Sequence, residues 1–409
     1  MSHSDIQTQC CIAGGGPAGM MLGLLLARAG VQVVVLEKHA DFLRDFRGDT
    51  VHPSTLEVMH ELGLLDRFLA HPHQRLEEIG GRIAGQRVRI ADFSHLPTHA
   101  RFIALMPQWD FLNFIAEEAR RHPSFRLCMQ SEVTQLIQRG DAVVGLRARG
   151  PQGEFEVQAA LSIGADGRSS LVRSQAGLLV EDLGAPMDVL WMRLSKRDSD
   201  STQALGYVGQ GHVLVLLDRG DYWQCAFVIP KGQFDELQRE PIAALHREIE
   251  ALVPFLGDRT HELGSWQDVR LLTVKVDRLR QWYRPGLLCI GDAAHAMSPI
   301  GGVGINLAIQ DAVATANLLA PALRGGHVPP RALARVQRRR ELPTRLTQSA
   351  QLGIQNGLIR PALAGQPPSV PLLARVLEAV PPLRRVSARM LGLGVRPEHV
   401  DAALRSPAA

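Results

Sequence analysis

Residues 291–306 set one carboxylate, Asp292, one proline, Pro299, and four glycines, Gly291, Gly301, Gly302 and Gly304, between two runs of opposite character. The run 286–290 (GLLCI) is apolar and reads as a buried strand, and 307–313 reads as a helix. Glycines at a helix start leave backbone N–H groups bare and let a ligand approach closely. A carboxylate at a strand end can accept hydrogen bonds from a hydroxylated chain. The stretch therefore suits a large, flat, partly anionic ligand held against a helix N-terminus. The competing reading is a glycine-rich connection with a helix cap.

A second stretch has the same logic. The strand-like 10–13 (CCIA) runs into Gly14-Gly15-Gly16-Pro17-Ala18-Gly19, which opens an apolar helix, 20–29. Gly14 permits a tight turn, Gly16 lets a pyrophosphate approach, and Gly19 lets helix and strand pack closely. The next strand, 31–36, ends on Glu37 and Lys38, about 20 residues on, where a carboxylate can accept from ribose hydroxyls. Glu37 would repel a 2′-phosphate, so FAD or NAD suits the site better than NADP. Arg47 follows in a polar loop and could reach the phosphates or stay solvated. Ser54 reads as the cap of a helix over 55–62. A third stretch, 161–165, ends in Asp166-Gly167, with Ser169 as the expected cap of a helix over 170–176.

The elements that must position these residues form an α/β frame. The 409 residues are enough for a large core and two domains. Strand and helix alternate over 1–75, 106–180 and 276–345, which we assign to a Rossmann-like nucleotide-binding domain. Residues 76–105 and 181–275 interrupt it as an inserted α+β domain with a mainly antiparallel sheet, and 346–409 form C-terminal helices. Strands are expected at 81–84, 86–90, 101–106, 126–130, 132–138, 143–149, 154–159, 189–194, 204–209, 213–217, 222–229 and 270–276.

Composition narrows the partners. Net charge is +4 and aromatic content 5%, with no basic run interleaved with aromatics, which argues against nucleic-acid binding. The odd cysteine count of 5, without a CxxC, reads as reduced core thiols and a cytoplasmic setting. No metal set such as HExxH occurs. The polar start, residues 1–9, does not read as a signal peptide, and no apolar run of spanning length is apparent. Arg338-Arg339-Arg340 reads as a solvated helix face. The C-terminal helix bearing Arg375, Arg384, Arg385 and Arg389 is expected to pack on the domain, with membrane contact as the lesser reading.

Taken together, Gly14–Gly19 with Glu37, Asp166-Gly167 and 291–306 resemble the single-component FAD-dependent monooxygenases of the p-hydroxybenzoate hydroxylase type. The resemblance covers 1 to about 345 and is weakest over 180–275. It implies FAD contacts from Gly14, Gly16, Pro17, Ala18, Gly19, Glu37 and Lys38. It implies a phosphate and ribityl contact from Arg47, a contact from Gln108 at a helix start, and an adenine contact from Val133. Asp166 and Gly167 would support FAD and nicotinamide binding, and Asp292 the ribityl hydroxyls. Pro299, Gly302, Gly304, Ile305 and Asn306 would border the isoalloxazine. The implied reaction uses NAD(P)H as a transient co-substrate and O2, with oxygen transfer to a small aromatic or polycyclic substrate through a flavin C4a-hydroperoxide. A dehydrogenase, oxidase or halogenase on the same fold is the alternative, and a flavin-holding binding or membrane-adapter protein without turnover is a third reading. The expected assembly is a monomer or homodimer.

The substrate side is less defined. Arg193, Tyr207, His212, Tyr222 and Gln224 lie on the expected sheet and could face a phenol or carboxylate, or could simply be sheet residues. His52, beside the second stretch, is a weak catalytic candidate. His295 reads as structural. Tyr222, Gln224, Ala226 and Val228 share one strand face and Trp223, Cys225 and Phe227 the other; which face covers the ligand is open.

Overall fold

The computed structural model describes residues 5–43, 50–200, 206–209, 211–366 and 372–405. Its centre is a sheet in which five strands run parallel in the order Leu287–Cys289, Gly153–Gly164, Ile6–Ala13, Val33–Leu36 and Phe125–Cys128. These strands are rich in valine, isoleucine, leucine and cysteine and buried throughout much of their length, as parallel strands covered by other layers must be. Helix Pro17–Arg28 packs on Gln108–Arg120 and on Gly304–Arg324, which in turn packs on Pro330–Ile354. The run Ile300–Arg324 is long and apolar enough to cross a bilayer, at a mean hydropathy of 1.3, contrary to the reading that no such run exists. It is 83% buried within the fold, which accounts for its apolarity as a core helix.

The expected strands at 154–159 and 161–165 are one strand, Gly153–Gly164. No glycine or proline breaks the chain between them. Its first half carries the antiparallel meander with Glu132–Arg139 and Ala142–Gly150, and its second half enters the parallel sheet. The expected strand 270–276 is shorter, and a separate strand follows it. Arg270–Leu272 joins the larger antiparallel sheet, whereas Asp277–Leu279 pairs with Val180–Asp182 and His295–Ala296.

A seven-stranded sheet follows the order Arg270–Leu272, Met187–Ser195, Tyr222–Pro230, His212–Asp218, Gly206–Gly209, Glu78–Ile83 and Gln86–Asp92. The last two strands form a hairpin through Ala84 and Gly85, both at positive φ (51° and 77°), as a tight hairpin turn requires. One sheet face, with Leu190, Met192, Trp223, Cys225 and Phe227, packs against Leu245, Ile249 and Leu256 of the following helical segment. The opposite face turns toward the nucleotide-binding half: Val228 and Val213 cluster with Ile300 and Ile359, and Val189 and Ala226 with Val274 and Val276.

The C-terminal helices pack on the body. Ala388 is buried against the layer of Phe93 and Leu96, and Pro381–Gly392 lies along strand Gln86–Asp92. Of residues 338–340, read as a solvated face, Arg338 is exposed and Arg339 half-buried, but Arg340 is completely buried.

Candidate functional site

The three sequence stretches converge because the strands that precede them are neighbours. Cys289, Gly164, Ala13 and Leu36 lie in one register row, so Gly14, Glu37, Ala165 and Ile290 emerge at the same edge. The chain leaves the central strand toward Val33–Leu36 on one side and returns through Gly153–Gly164 on the other. Strand order therefore reverses between Ile6–Ala13 and Gly153–Gly164, the position where open α/β sheets hold ligands.

The glycines divide into packing positions and an open one. A Cβ on Gly14 (φ 105°) would lie 2.3 Å from the Ala165 carbonyl oxygen, and one on Gly19 2.0 Å from the Gly14 carbonyl oxygen. A Cβ on Gly16 would meet no atom within 4 Å. Gly16 is thus glycine where the protein itself imposes no steric demand, at the uncapped N-terminus of helix Pro17–Arg28. That is the cradle a pyrophosphate needs: donors bare, no side chain in the way. Beside it, the buried Glu37 carboxylate accepts the Gly15 N–H at 2.8 Å and the His39 N–H at 3.0 Å, which aims it at the edge of the cradle. Ser131 donates its N–H to the Glu37 backbone carbonyl at 2.8 Å, which brings the start of strand Glu132–Arg139, with half-buried Val133, close to Glu37. Lys38 is exposed at the same edge. Arg47 lies outside the described residues.

Asp166 behaves differently from the expectation for a ligand contact. Its carboxylate accepts the Ser170 hydroxyl and the Val172 N–H (3.1 Å), holding the start of helix Leu171–Gln175. Burial pushes its pKa up against those hydrogen bonds. Next to it Gly167 lies at φ 84° with open space where a Cβ would stand. Ser170, not Ser169, caps the helix, accepting the Arg173 N–H at 3.0 Å. Asp292, by contrast, is half-exposed, and its carboxylate lies 3.8 Å from the Arg168 guanidinium. Arg168 has no place among the residues singled out from the sequence, although its position after the Asp-Gly pair is the available signal.

The helix Gly304–Arg324 makes its first internal bond from Leu307 N–H to Val303 oxygen, leaving the N–H groups of Gly304, Ile305 and Asn306 directed out of its end. The Asn306 side chain is turned elsewhere: its oxygen accepts the His52 N–H (3.0 Å) and the Thr55 hydroxyl (2.7 Å). It thereby ties helix Pro53–Glu61 to the glycine loop, and Thr50 adds a bond to the Gly302 carbonyl at 2.9 Å. Pro299 is half-buried and its carbonyl accepts the Gly302 N–H. Gln108 opens helix Gln108–Arg120 just beyond strand Ile103–Leu105, which pairs with Thr50–Val51. Ser54 does not cap its helix. The N-cap is His52, with Pro53 at the first helical position, and the Ser54 hydroxyl is buried without a partner among the described residues.

His52 is fully buried, its Nδ1 lies 2.8 Å from the Leu391 carbonyl, and burial lowers its pKa to about 4. Burial thus favours its neutral form, and its contacts with Leu391 and Asn306 tie it to the loop. Behind the glycine loop lies a network that sequence spacing does not announce. Asp311, fully buried, accepts the Gly291 N–H at 3.0 Å and faces His295 Nε2 at 2.6 Å and Arg340 Nε at 3.1 Å. Arg340 also bonds Glu398 at 3.1 Å. Burial alone would raise the Asp311 pKa; the contacts with His295 and with the Arg340 guanidinium outweigh it and hold the carboxyl below its ordinary value. Gly291 is thus fixed by a carboxylate that the C-terminal segment helps to hold.

Register decides which of the sheet candidates lie on the slot-facing side, the face turned toward the nucleotide-binding half. Tyr207 and His212 do not: Tyr207 packs toward Phe255 and His212 lies against Phe227, on the helix-covered face. Alternation along each strand places them one residue out of phase with the slot-facing set. Arg193, Tyr222 and Gln224 do share the slot-facing side. The Arg193 guanidinium, however, lies 3.7 Å above the Tyr222 ring at the sheet's outer end, in a polar cavity of about 410 Å³ with Asp221, Glu262 and Arg270. Gln224 alone among these candidates is deeply buried, at 3% exposure. Among the described residues, no cluster of three or more His, Cys, Asp or Glu could hold a metal ion.

Residues 7–350 match the family model described as an FAD binding domain. The chain is 33% identical over 396 residues to 6-methylpretetramide 4-monooxygenase of Streptomyces rimosus, covering 94% of this chain and 92% of that protein. It is 30% identical over 318 residues to a 12-dehydrotetracycline 5-monooxygenase/anhydrotetracycline 6-monooxygenase of the same species, covering 74% of this chain and 60% of that one. Among solved structures, p-nitrophenol 4-monooxygenase PnpA from Pseudomonas putida superposes with a TM-score of 0.76 at 20% identity, over 99% of this chain and 100% of that chain, and shares the fold. Full-length similarity, the matched FAD model and the converging strand ends lead to one assignment: the chain belongs to the FAD-dependent monooxygenases of the p-hydroxybenzoate hydroxylase type.

Proposed function

We propose that this enzyme hydroxylates a flat polycyclic aromatic compound bound between the flavin loop and the slot-facing side of the seven-stranded sheet. In this reading residues 76–105 and 181–275 form the substrate domain, and 1–75, 106–180 and 276–345 the FAD-binding domain. FAD would lie with its pyrophosphate at Gly14–Gly19, its adenosine ribose at Glu37, its ribityl chain at Asp292 and its ring along Pro299 and 302–306. FAD, reduced by NAD(P)H, supplies the electrons and the activation of O2. The residues do the rest. Bare N–H groups of Gly304, Ile305 and Asn306 at a helix N-terminus favour negative charge at the ring edge. The sheet roof keeps water from the reacting centre. The polycyclic substrate class is supported by the near full-length likeness to 6-methylpretetramide 4-monooxygenase.

The observation that carries the reading is the open position at Gly16 in line with Asp292 and the Gly304 helix start, at one edge of one sheet. The test is a purified protein loaded with FAD, offered NADH or NADPH and a panel of polycyclic phenols under labelled O2. Substrate-stimulated oxidation of the nicotinamide with one oxygen-18 atom in the product is expected. Turnover without label in the product would make the enzyme a dehydrogenase or oxidase and overturn the reading.

A further inference from the structure

The slot-facing side of the seven-stranded sheet packs with Val274 and Val276 through Val189 and Ala226, and it reaches the nucleotide-binding half at two further places. At one, Val228 and Val213 meet Ile300 of the flavin loop. At the other, the turn after strand His212–Asp218 reaches strand Gln74–Leu76: a Cβ on Gly220 would lie 3.4 Å from Gln74 Nε2. Between these contacts the face carries Val215, Ala226, Gln224 and Trp191, and Val215 and Trp191 pack against the same cluster as Val274 and Val276. Valine and alanine make that surface small and apolar. The two polar groups on it are both N–H donors, and both are buried without an acceptor among the described residues: Gln224 Nε2 and Trp191 Nε1.

Their orientation is not accidental. The Gln224 oxygen accepts the Arg219 Nε–H at 2.9 Å. A guanidinium can only donate, so the amide cannot be reversed, and its NH2 must face away from Arg219. Trp191 pairs with Ala226, and Arg193 pairs with Gln224, two rungs apart in one antiparallel ladder. Trp191 and Gln224 are therefore diagonal neighbours on one face, about 7 Å apart, close enough for both to address one bound molecule. Buried donors are normally satisfied, and a pair left open in an otherwise apolar lining marks a place where a ligand supplies the acceptor.

We propose that Gln224 and Trp191 form an oxygen clamp that donates two hydrogen bonds to a phenolic or carbonyl oxygen of the substrate, with Arg219 fixing the Gln224 amide from behind. The proposal rests on the slot being the substrate site. It makes the pair determinants of specificity: oxygen-bearing polycycles bind and the bare hydrocarbon of the same footprint is refused. A site that hydrogen-bonds a ligand oxygen discriminates far more sharply than an apolar pocket, because the unmet donors penalise the wrong ligand.

The probes are 1-naphthol and naphthalene, titrated into the FAD-loaded enzyme by ligand fluorescence. The native enzyme is expected to prefer 1-naphthol. Gln224→Leu and Trp191→Phe should each cut that preference roughly ten-fold, leaving naphthalene affinity unchanged. Gln224→Glu keeps an acceptor for Arg219 but turns an oxygen toward the slot, and should weaken 1-naphthol binding further while the thermal midpoint holds. A readout of preference, not of affinity alone, separates a clamp from a merely structural role. Undiminished preference in all three variants overturns the clamp and leaves the monooxygenase reading standing. Binding of neither probe by native enzyme removes the slot as substrate site, and the clamp with it.

Discussion

The strand ends that carry Gly14, Asp166 and Asp292 and the sheet that carries Gln224 face one slot, yet different physics put them there. At the strand ends each functional residue directly follows the element that aims it. Gly14 is the first residue after strand Ile6–Ala13, and Gly291 lies two beyond Cys289. Sliding the strand by one residue would carry the site with it. On the sheet nothing local marks the slot. Gln224 and His212 lie on neighbouring strands, both polar, and only register turns one inward and the other toward the helix Ala243–Leu252. A shift of one residue would exchange their faces. The first region tolerates change in its surroundings but not at its glycines; the second depends on its surroundings altogether.

The sharpest way to break that contrast is at the glycines themselves. Gly16→Val should leave the fold intact, because its Cβ enters open space, and should reduce FAD affinity at least a hundred-fold by filling the cradle. Gly19→Val should instead damage the fold, since its Cβ would collide with the Gly14 carbonyl. Flavin retention and the thermal midpoint of flavin-free protein, measured for both, separate the two cases. A Gly16→Val enzyme that keeps its flavin would disprove the assignment of that position.

Next in size is the network behind the loop. Arg340→Met strips both Asp311 and Glu398 of their buried cation, and loss of one partner of a buried ion pair costs about 3–5 kcal/mol. Asp311 also holds Gly291, so flavin binding should weaken together with stability. The pH dependence has a definite sign. Asp311 titrates below its ordinary value in the folded chain, so its contribution is complete above about pH 4 and drains as pH falls through the lower folded value. Removing Arg340 raises that folded value and should move the acid-unfolding midpoint upward. An unmoved midpoint would show that the network contributes nothing to acid stability.

These two regions also mark how much of the molecule is legible in its sequence. Gly14–Gly19, Glu37, Asp292 and the helix start at Gly304 can be read there because a turn, an acid and a helix start in fixed spacing serve few purposes besides holding a dinucleotide. Arg340 cannot: three consecutive arginines look alike in sequence, and only the helix phase buries the third against Asp311, 29 residues away in the chain. The capping serines fall one residue or more from their expected places, since Ser54, Ser169 and Ser170 differ only in backbone geometry. Tyr207 and His212 turn away from the slot because their facing depends on partners far along the chain. The division is between chemistry written locally and chemistry created by register.

His52 offers a smaller and more specific contrast. Unfolded, an ordinary histidine binds its proton near pH 6.5; folded, burial lowers that to about 4. Between those values the unfolded chain holds more protons, so stability rises with pH across the window, by about 3 kcal/mol in all. His52→Gln should flatten the stability profile between pH 4 and 6.5 by about one proton, as read from denaturant unfolding at a series of pH values. Activity between pH 7 and 8 should show no titration that the variant abolishes. If such a titration vanishes in His52→Gln, the group takes part in proton transfer and the positioning role given to it fails.

The smallest expected effect belongs to Arg193, a candidate on the right face in the wrong place. Its side chain is 58% exposed, stacked on Tyr222 and 3.6 Å from Asp221, itself 79% exposed. Water screens that ion pair, and a cation over an exposed ring contributes about 0.5–1 kcal/mol. Arg193→Ala should therefore lower stability by less than about 1 kcal/mol and change KM for an aromatic substrate less than about three-fold, with kcat unaltered. Gln224→Leu, two residues from Tyr222 along the same strand face, should raise KM far more, because its amide is desolvated and aimed inward. Measured side by side, the two variants locate the substrate along the strand: a large KM effect at Arg193 with little at Gln224 would move it to the outer cavity and away from the flavin loop.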